Sequence, residues 1–401
     1  MLSDSLAKWL LYSQIIAATF LQKIAIPLGQ HTQVFLALVI MLGAAGIGIV
    51  SQRMEIRTTR LALYLLMAGG VTLIQLLRAS EFSATSLLLL LVIHLPYAVG
   101  LKNGITCTED ALAFFRKIMV IIALVGLAQF ALQFIIGRQY AFFLDTLFPQ
   151  EWIASGFNQL IPTHYNSALC KSNGFFMLEP SIFSQFLALS LIIEMVCFKN
   201  PKVIALYLAA LLTTFSGTGL VILAAVVPAY LLFQRKYTLL AGVGVAFIAF
   251  LWIAPYVGLA DYAGRVNEFT KTTTSGYARF LSIFSTIRDF VLPHTDTLLL
   301  GLGAGSFRDV GQHVSYAWHA PTWGKIFVEY GLIGALVYFP LLMYVFFTSQ
   351  QSPYIKVALG IQFLFLAEYA LNPTVHNLLL ALLAWPVASI SKQSQENVLP
   401  G

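Results

Sequence analysis

Long apolar runs alternate with short polar connections along most of this chain. A helix crosses the roughly 30 Å hydrocarbon core of a bilayer with about 20 apolar residues. Twelve runs approach that length, at roughly 9–28, 33–51, 61–77, 84–101, 117–137, 180–198, 202–216, 218–234, 238–257, 324–347, 353–371 and 374–391. The pattern predicts an all-α integral membrane protein with about 12 transmembrane helices, forming a single polytopic domain over residues 1–401.

Composition supports the same class. Hydrophobic residues make up 59% of the chain, charged residues 10%, and the mean hydropathy is +0.81. A soluble domain carries roughly 25% charged residues, so this composition excludes an ordinary soluble protein. The three cysteines show no metal-ligand spacing, and the outer side has no Asp-x-Asp or His/carboxylate cluster. The sequence therefore predicts no metal and no cofactor.

The basic residues predict the orientation. Short connections that are rich in Lys and Arg stay on the cytoplasmic side of a membrane. The net charge of +6 therefore reflects the orientation of the helices and does not indicate a nucleic-acid partner. Alternate connections carry most of them, at Arg53, Arg57, Arg60, Lys102, Arg116, Lys117, Lys199, Lys202, Arg235, Lys236, Lys356 and Lys392. We therefore expect both termini in the cytoplasm.

Two long connections, 138–179 and 258–323, fall on the opposite, outer side. Connections of this length are usually functional. The second carries four arginines, Arg265, Arg279, Arg288 and Arg308. Because a guanidinium binds phosphate through two parallel hydrogen bonds and stays charged, this set indicates an anion site, with the first three as the main candidates. The alternative is that these arginines are solvated loop charges or interfacial anchors.

Glu179 stands at the end of the first long connection, in "GFFMLEPSIFSQFLALS" (174–190). Pro180 suits a first helical position, and an acid there meets the positive end of the helix dipole, so Glu179 could simply start the helix. Alternatively, Glu179 pairs with an arginine or receives a proton during catalysis. A charge at this depth costs a few kcal/mol unless it is paired.

Histidines supply the other candidate chemistry. His319 in "WHAPTWGK" precedes a predicted span, and a neutral imidazole there can accept a proton near neutral pH. The alternative is an interfacial histidine bonded to the backbone. His313, His376 and Asn377 are further candidates for substrate contacts, the last two at the outer start of the final span.

Four stretches resemble the O-antigen polymerase and ligase superfamily of bacterial polysaccharide assembly. They are "FFMLEPSIFSQFLALS", "LTTFSGTGLVILAAVVPAYLL", "RFLSIFSTIRDFVLPHTDTLLLGLGAGSF" and "HAPTWGKIFVEYGLIGALVYF". In this resemblance, Arg279 matches the arginine segment of the family and His319 matches its histidine. The resemblance implies a C-type glycosyltransferase-like architecture in the bacterial inner membrane. It also implies a substrate, an oligosaccharide on undecaprenyl pyrophosphate, and a chain-length regulator protein as a partner.

Three functions stay open at this point. A polymerase transfers the growing glycan from one lipid pyrophosphate to the next repeat unit, and a ligase transfers it to lipid A core. Ligases of the superfamily usually show His followed by Asn, whereas Ala320 follows His319 here, so the polymerase is favoured. A lipid or solute transporter is the third possibility, but transporters carry ionisable residues near the bilayer midplane, and this chain concentrates its charge at one face.

Overall fold

The computed structural model describes residues 2–28, 33–78, 82–102, 107–142, 148–157, 159–163, 167–253, 256 and 272–386. The protein is 72% helical with almost no sheet, which confirms the predicted all-α class. Its α-helices are α1 Leu2–Thr19, α2 Leu36–Val50, α3 Thr58–Leu77, α4 Ala84–His94, α5 Thr108–Ile136, α6 Arg138–Ala141, α7 Pro180–Ile193, α8 Pro201–Thr213, α9 Thr218–Phe233, α10 Tyr237–Ile253, α11 Ser275–Phe280, α12 Ser282–Thr286, α13 Thr295–Leu300, α14 Ser306–His313, α15 Thr322–Thr348, α16 Pro353–Ile361 and α17 Pro373–Leu379.

Each of the twelve apolar runs overlaps one of these helices. Among the described residues, four helical stretches are long and apolar enough to cross a membrane, namely Thr58–Leu77, Thr108–Ile136, Pro180–Phe198 and Thr322–Thr348. The other apolar helices are 10–17 residues long, even where π-helical or 3₁₀ turns continue them, as at Leu95–Ala98, Gln362–Leu366 and Leu380–Ala384. The membrane character of the chain is thus supported by helix length and composition.

Two predicted spans end earlier than the hydropathy indicates. The run at 9–28 is helical only to Thr19, and the chain then forms β1, Ala25–Pro27, which pairs with β2, Gln33–Phe35. The run at 84–101 leaves the α-helix at His94 because Pro96 cannot donate a helical hydrogen bond. It ends in β4, Val99–Leu101, paired with β3, Met54–Ile56. These short ladders give backbone groups near helix ends a partner.

Helix α7 lies at the centre of the molecule. All of its residues are buried, because α5, α8, α9 and α16 pack around it. Its polar side chains are used inside the protein: Ser184 Oγ accepts from Gly219 N at 3.0 Å, and a Cβ at Gly219 would collide with the Ser184 backbone. Small residues at this crossing let α7 and α9 approach closely.

The two long connections fold against the helices. In the first, Ser172 and Asn173 are fully buried and both bond to Gln129 of α5. In the second, α11 to α14 lead to a close crossing between Gly301 and Gly331. Gly331 (φ 68°, ψ −168°) breaks α15 into two arms.

Candidate functional site

The site begins at the first residue of α7. Glu179 has extended backbone (φ −144°, ψ 155°), and within the described residues its carboxylate makes no capping hydrogen bond to the helix. The Ser181 hydroxyl donates to Glu179 Oε2 at 2.9 Å. Arg279 Nη2 lies 3.5 Å from the same oxygen. The structure thus pairs Glu179 with an arginine from the second long connection, and helix capping does not account for its carboxylate.

The pair is largely shielded from solvent. The Glu179 side chain is 17% exposed and that of Arg279 is 22% exposed. Arg279 sits on the last turn of α11, where Thr274 caps the helix by accepting from the backbone N of Tyr277. A short capped helix gives Arg279 a fixed position, so its guanidinium is held at the mouth of α7.

His319 lies between two cations. Ser282 Oγ accepts from His319 N at 3.3 Å and donates to His319 O at 3.1 Å, which fixes the backbone of this loop. Burial and the positive charges of Arg279 and Lys325 lower the pKa of His319 from 6.5 to about 3. The imidazole is therefore neutral near pH 7 and is a weak base until negative charge arrives beside it.

Lys325 extends the site into α15. Its Nζ is 3.2 Å from Glu329 Oε1, one turn along the same helix, and 3.8 Å from Glu368 Oε1. The Glu329 side chain is 1% exposed, whereas that of Glu368 is 29% exposed. Lys325 therefore bridges a buried carboxylate and an accessible one.

Tyr369 joins the two groups of charges. Its hydroxyl donates to Gln185 Oε1 of α7 at 2.7 Å. The Tyr369 hydroxyl lies within electrostatic range of both Arg279 and Glu179. The cluster, formed by Glu179, Arg279, His319, Lys325, Glu329, Glu368 and Tyr369, holds three carboxylates and two permanent cations. We call it the α7 mouth site.

Arg288 and His313, two of the predicted substrate-binding residues, do not join this cluster. Arg288 is 72% exposed and bonds to its neighbour Asp289 at 2.7 Å. His313 is exposed at the end of α14, with Nδ1 2.9 Å from the Asp309 carbonyl oxygen. Arg265 lies outside the described residues. Of the arginines predicted to bind pyrophosphate, the structure therefore places Arg279 in the site.

His376 and Asn377 are fully buried. His376 Nε2 lies 2.9 Å from the Tyr369 carbonyl oxygen, which can only accept, so this nitrogen carries the proton and Nδ1 accepts from the Tyr97 hydroxyl at 2.9 Å. Asn377 Nδ2 donates to the carbonyl oxygens of Ala37 and Pro373. These side chains have no surface for a substrate; His376 instead supports the backbone of the site at Tyr369.

Sequence reasoning missed Lys325 and Glu329 and gave Glu368 no role in the site. A signal was present, since Lys325 and Glu329 are spaced i, i+4 in the otherwise apolar "WGKIFVEYGL", and such spacing on one helix face supports an ion pair. Within the described residues, no group of three or more His, Cys, Asp or Glu side chains could hold a metal ion.

The chain was compared with known proteins. Neither the scan against protein-family models nor the search of curated proteins gives a match. The geometry of the α7 mouth site and the four motifs are therefore the observations that bear on function.

Proposed function

We propose that this protein is a polymerase of oligosaccharide repeat units carried on undecaprenyl pyrophosphate, acting at the outer face of the bacterial inner membrane. In this proposal the chain crosses the membrane about twelve times with both termini in the cytoplasm. The observation that carries the proposal is the shielded pair of Glu179 and Arg279 beside His319 and Lys325. Two of the four motifs supply the pair, and a third supplies His319 and Lys325.

Arg279 would hold the leaving diphosphate. Glycosyl transfer from a lipid pyrophosphate builds negative charge on the departing oxygen, and fixed donors aimed at that oxygen stabilise the transition state. Glu179 and the cap of α11 hold the guanidinium before substrate arrives. An incoming diphosphate competes with Glu179 for Arg279. The arginine is paired with Glu179 before the substrate binds and with the diphosphate afterwards.

His319 would respond to the same event. Burial and, to a smaller extent, two nearby cations lower its pKa, and a bound diphosphate would offset those cations. The imidazole would then become a better hydrogen-bond acceptor for a sugar hydroxyl at the moment the donor is in place. Donor binding would thus prepare the site for the acceptor.

An apolar groove supports a lipid-linked substrate. A cavity of about 690 Å³ lies between the second arm of α15 and the segment 357–365, lined by side chains such as Leu336, Phe346 and Leu364. Trp323, two residues from Lys325, also lines it. A lipid tail lying in this groove would place its head group beside the α7 mouth site.

Two alternatives remain, and each has an observation in its favour. A ligase that transfers glycan to lipid A core would need the same diphosphate contacts, so the site itself suits either acceptor. A lipid or solute transporter is favoured by Glu329, a fully buried carboxylate paired with Lys325 in an apolar helix, because ion pairs inside membrane helices often mark transport pathways.

The test is a gel of surface glycan from a strain lacking this protein and complemented with wild type, Arg279→Ala or Arg308→Ala. Arg308 is an exposed arginine of the same long connection and serves as the matched control. We expect Arg279→Ala to give the pattern of the deletion at a normal protein level, with single repeat units on lipid A core. The control should give wild-type chains.

The other outcomes separate the alternatives. Long chains that accumulate on undecaprenyl pyrophosphate, with none on the core, would identify a ligase. Unchanged glycan in the deletion strain would refute both glycan functions and leave transport.

A further inference from the structure

A non-helical segment, residues 367–372, carries Glu368 into the α7 mouth site. The π-helical turn Gln362–Leu366 ends where Ala367 becomes fully extended (φ −159°, ψ 176°), and α17 begins at Pro373. Irregular backbone at membrane depth is tolerated where it is buried in protein or lines a cavity. We call this segment the 367–372 platform.

The platform is fixed from several directions. Thr322 at the start of α15 accepts from Tyr369 N at 3.0 Å through Oγ1, and its own N donates to the Ala367 carbonyl oxygen at 3.0 Å. Gln185 of α7 accepts from the Tyr369 hydroxyl, and His376 of α17 donates to the Tyr369 carbonyl oxygen. Three helices therefore hold the residue next to Glu368.

The two carboxylates beside Lys325 are not equivalent. Glu329 is buried, lies closer to Lys325 at 3.2 Å, and balances the charge of that lysine inside the protein. Glu368 lies farther away at 3.8 Å, accepts a hydrogen bond from Leu371 N at 3.3 Å, and keeps 29% of its side chain exposed. Glu368 thus lies on a fixed segment and carries a carboxylate that a substrate can reach.

We propose that Glu368 is the residue that accepts the proton of the attacking sugar hydroxyl, and that Lys325 holds its carboxylate in place. This inference rests on the proposed glycosyl transfer. The Glu368 carboxylate is accessible and lies on a fixed segment, so it can accept the proton of a hydroxyl bound within its reach. Glu179 lies beside Arg279 on the donor side, whereas Glu368 lies beside Lys325 and is accessible to an acceptor.

The step balances as follows. The acceptor hydroxyl oxygen forms a bond to the anomeric carbon of the donor sugar, and the bond from that carbon to the diphosphate oxygen breaks. The diphosphate leaves with the electron pair of the broken bond, held by Arg279. The hydroxyl proton passes to Glu368 and is later lost to solvent, which the exposed part of its side chain admits.

The charged and titratable groups around Glu368 come from every element packed on the platform. On α15 they are Lys325, Glu329 and Tyr338; on the platform, Tyr369; and across the site, Arg279, Glu179 and His319. The dependence of activity on pH therefore reflects all of these groups. Comparing the wild-type protein with a Glu368 variant is needed to assign one part of that dependence to Glu368.

The experiment uses the full-length protein in membranes and lipid-linked repeat units extracted from the deletion strain. Glu368→Gln keeps the size and removes the base. We expect kcat to fall by about 10²–10⁴-fold, the usual contribution of a general base, with little change in KM. The fall in activity at acid pH should be absent from this variant. A purely structural role would instead lower the amount of folded protein and leave kcat per folded molecule unchanged.

A second variant keeps the inference testable if Glu368→Gln does not fold. Glu368→Asp retains the carboxylate but withdraws it by one methylene, and a misplacement of about 1 Å can cost about 10²-fold in rate. We expect a large loss of kcat with the acid limb retained. A wild-type rate in Glu368→Asp, or in folded Glu368→Gln, would overturn the inference.

Failure of the inference is distinguishable from failure of the proposed function. If Arg279→Ala abolishes polymer while Glu368→Gln polymerises normally, the glycosyl transfer stands and the proton acceptor is another group. If the wild-type protein forms no polymer from the extracted repeat units, the proposed function and the inference fail together.

Discussion

Replacement of Gly331 by alanine tests whether the break in α15 organises the α7 mouth site. Gly331 has φ 68° and ψ −168°, and a Cβ there would lie 2.5 Å from Gly301 N and from the carbonyl carbon of Leu299. These are backbone atoms, so no side-chain rotation can relieve the contact. The backbone conformation costs a non-glycine residue about 1–3 kcal/mol, and overpacking adds about 1–3 kcal/mol, so we expect a loss of roughly 2–6 kcal/mol.

The assay is thermal unfolding of the purified protein in detergent, together with polymer formation in membranes. The midpoint for Gly331→Ala should fall by several degrees, and activity should be lost because Lys325 and Glu329 sit on the arm that ends at Gly331. Gly69→Ala in α3 is the control, since a Cβ there meets no atom within 4 Å and a helical Gly-to-Ala change stabilises by up to about 1 kcal/mol. Wild-type stability in Gly331→Ala would refute the reasoning.

Two further predictions concern charge. Arg116 holds the fully buried Glu194 through contacts of 2.5 and 3.1 Å. Arg116→Met should therefore cost about 3 kcal/mol of stability, and the double variant Arg116→Met/Glu194→Gln should recover most of that loss. Equal unfolding midpoints for the single and the double variant would contradict this prediction. The pKa of His319 is about 3 in the folded protein and 6.5 in the unfolded chain. Because the unfolded chain then binds the extra proton, stability should decline as pH falls below about 6.5, by at most about 1.4 kcal/mol per pH unit. His319→Gln should flatten this dependence in denaturation measured from pH 7 to pH 5.

The burial of α7 shows where sequence reasoning reached its limit. Hydropathy places a helix after Glu179, and the helix forms, but the same pattern would serve a lipid-facing span. Whether Ser184 and Gln185 face lipid or protein depends on which helices surround α7, and those helices come from distant parts of the chain. The residues that pack around a helix cannot be deduced from its own periodicity when all of its faces are apolar.

His376 illustrates the same limit for function. Its position at the start of an apolar run makes it a candidate for a substrate contact, yet both of its ring nitrogens are used by Tyr97 and the Tyr369 carbonyl. The local sequence shows that a histidine is present, but it does not show which distant residues will form hydrogen bonds with its ring. A buried, hydrogen-bonded histidine and a histidine in an open site can have the same local sequence, and only the tertiary structure distinguishes them.

The sequence alone determined that the chain consists of long apolar helices of the kind found in membranes, and that a carboxylate stands at the mouth of α7. It also located the start of most helices to within a few residues, although α1 and α5 begin well before the predicted positions, at Leu2 and Thr108. These properties are local and additive, since each apolar residue contributes its own transfer free energy. Only the tertiary structure decided that Glu179 meets Arg279, one hundred positions away, and that Lys325 meets Glu368. Such pairings depend on how helices cross and where α15 breaks, which is a property of packed surfaces and of no single segment.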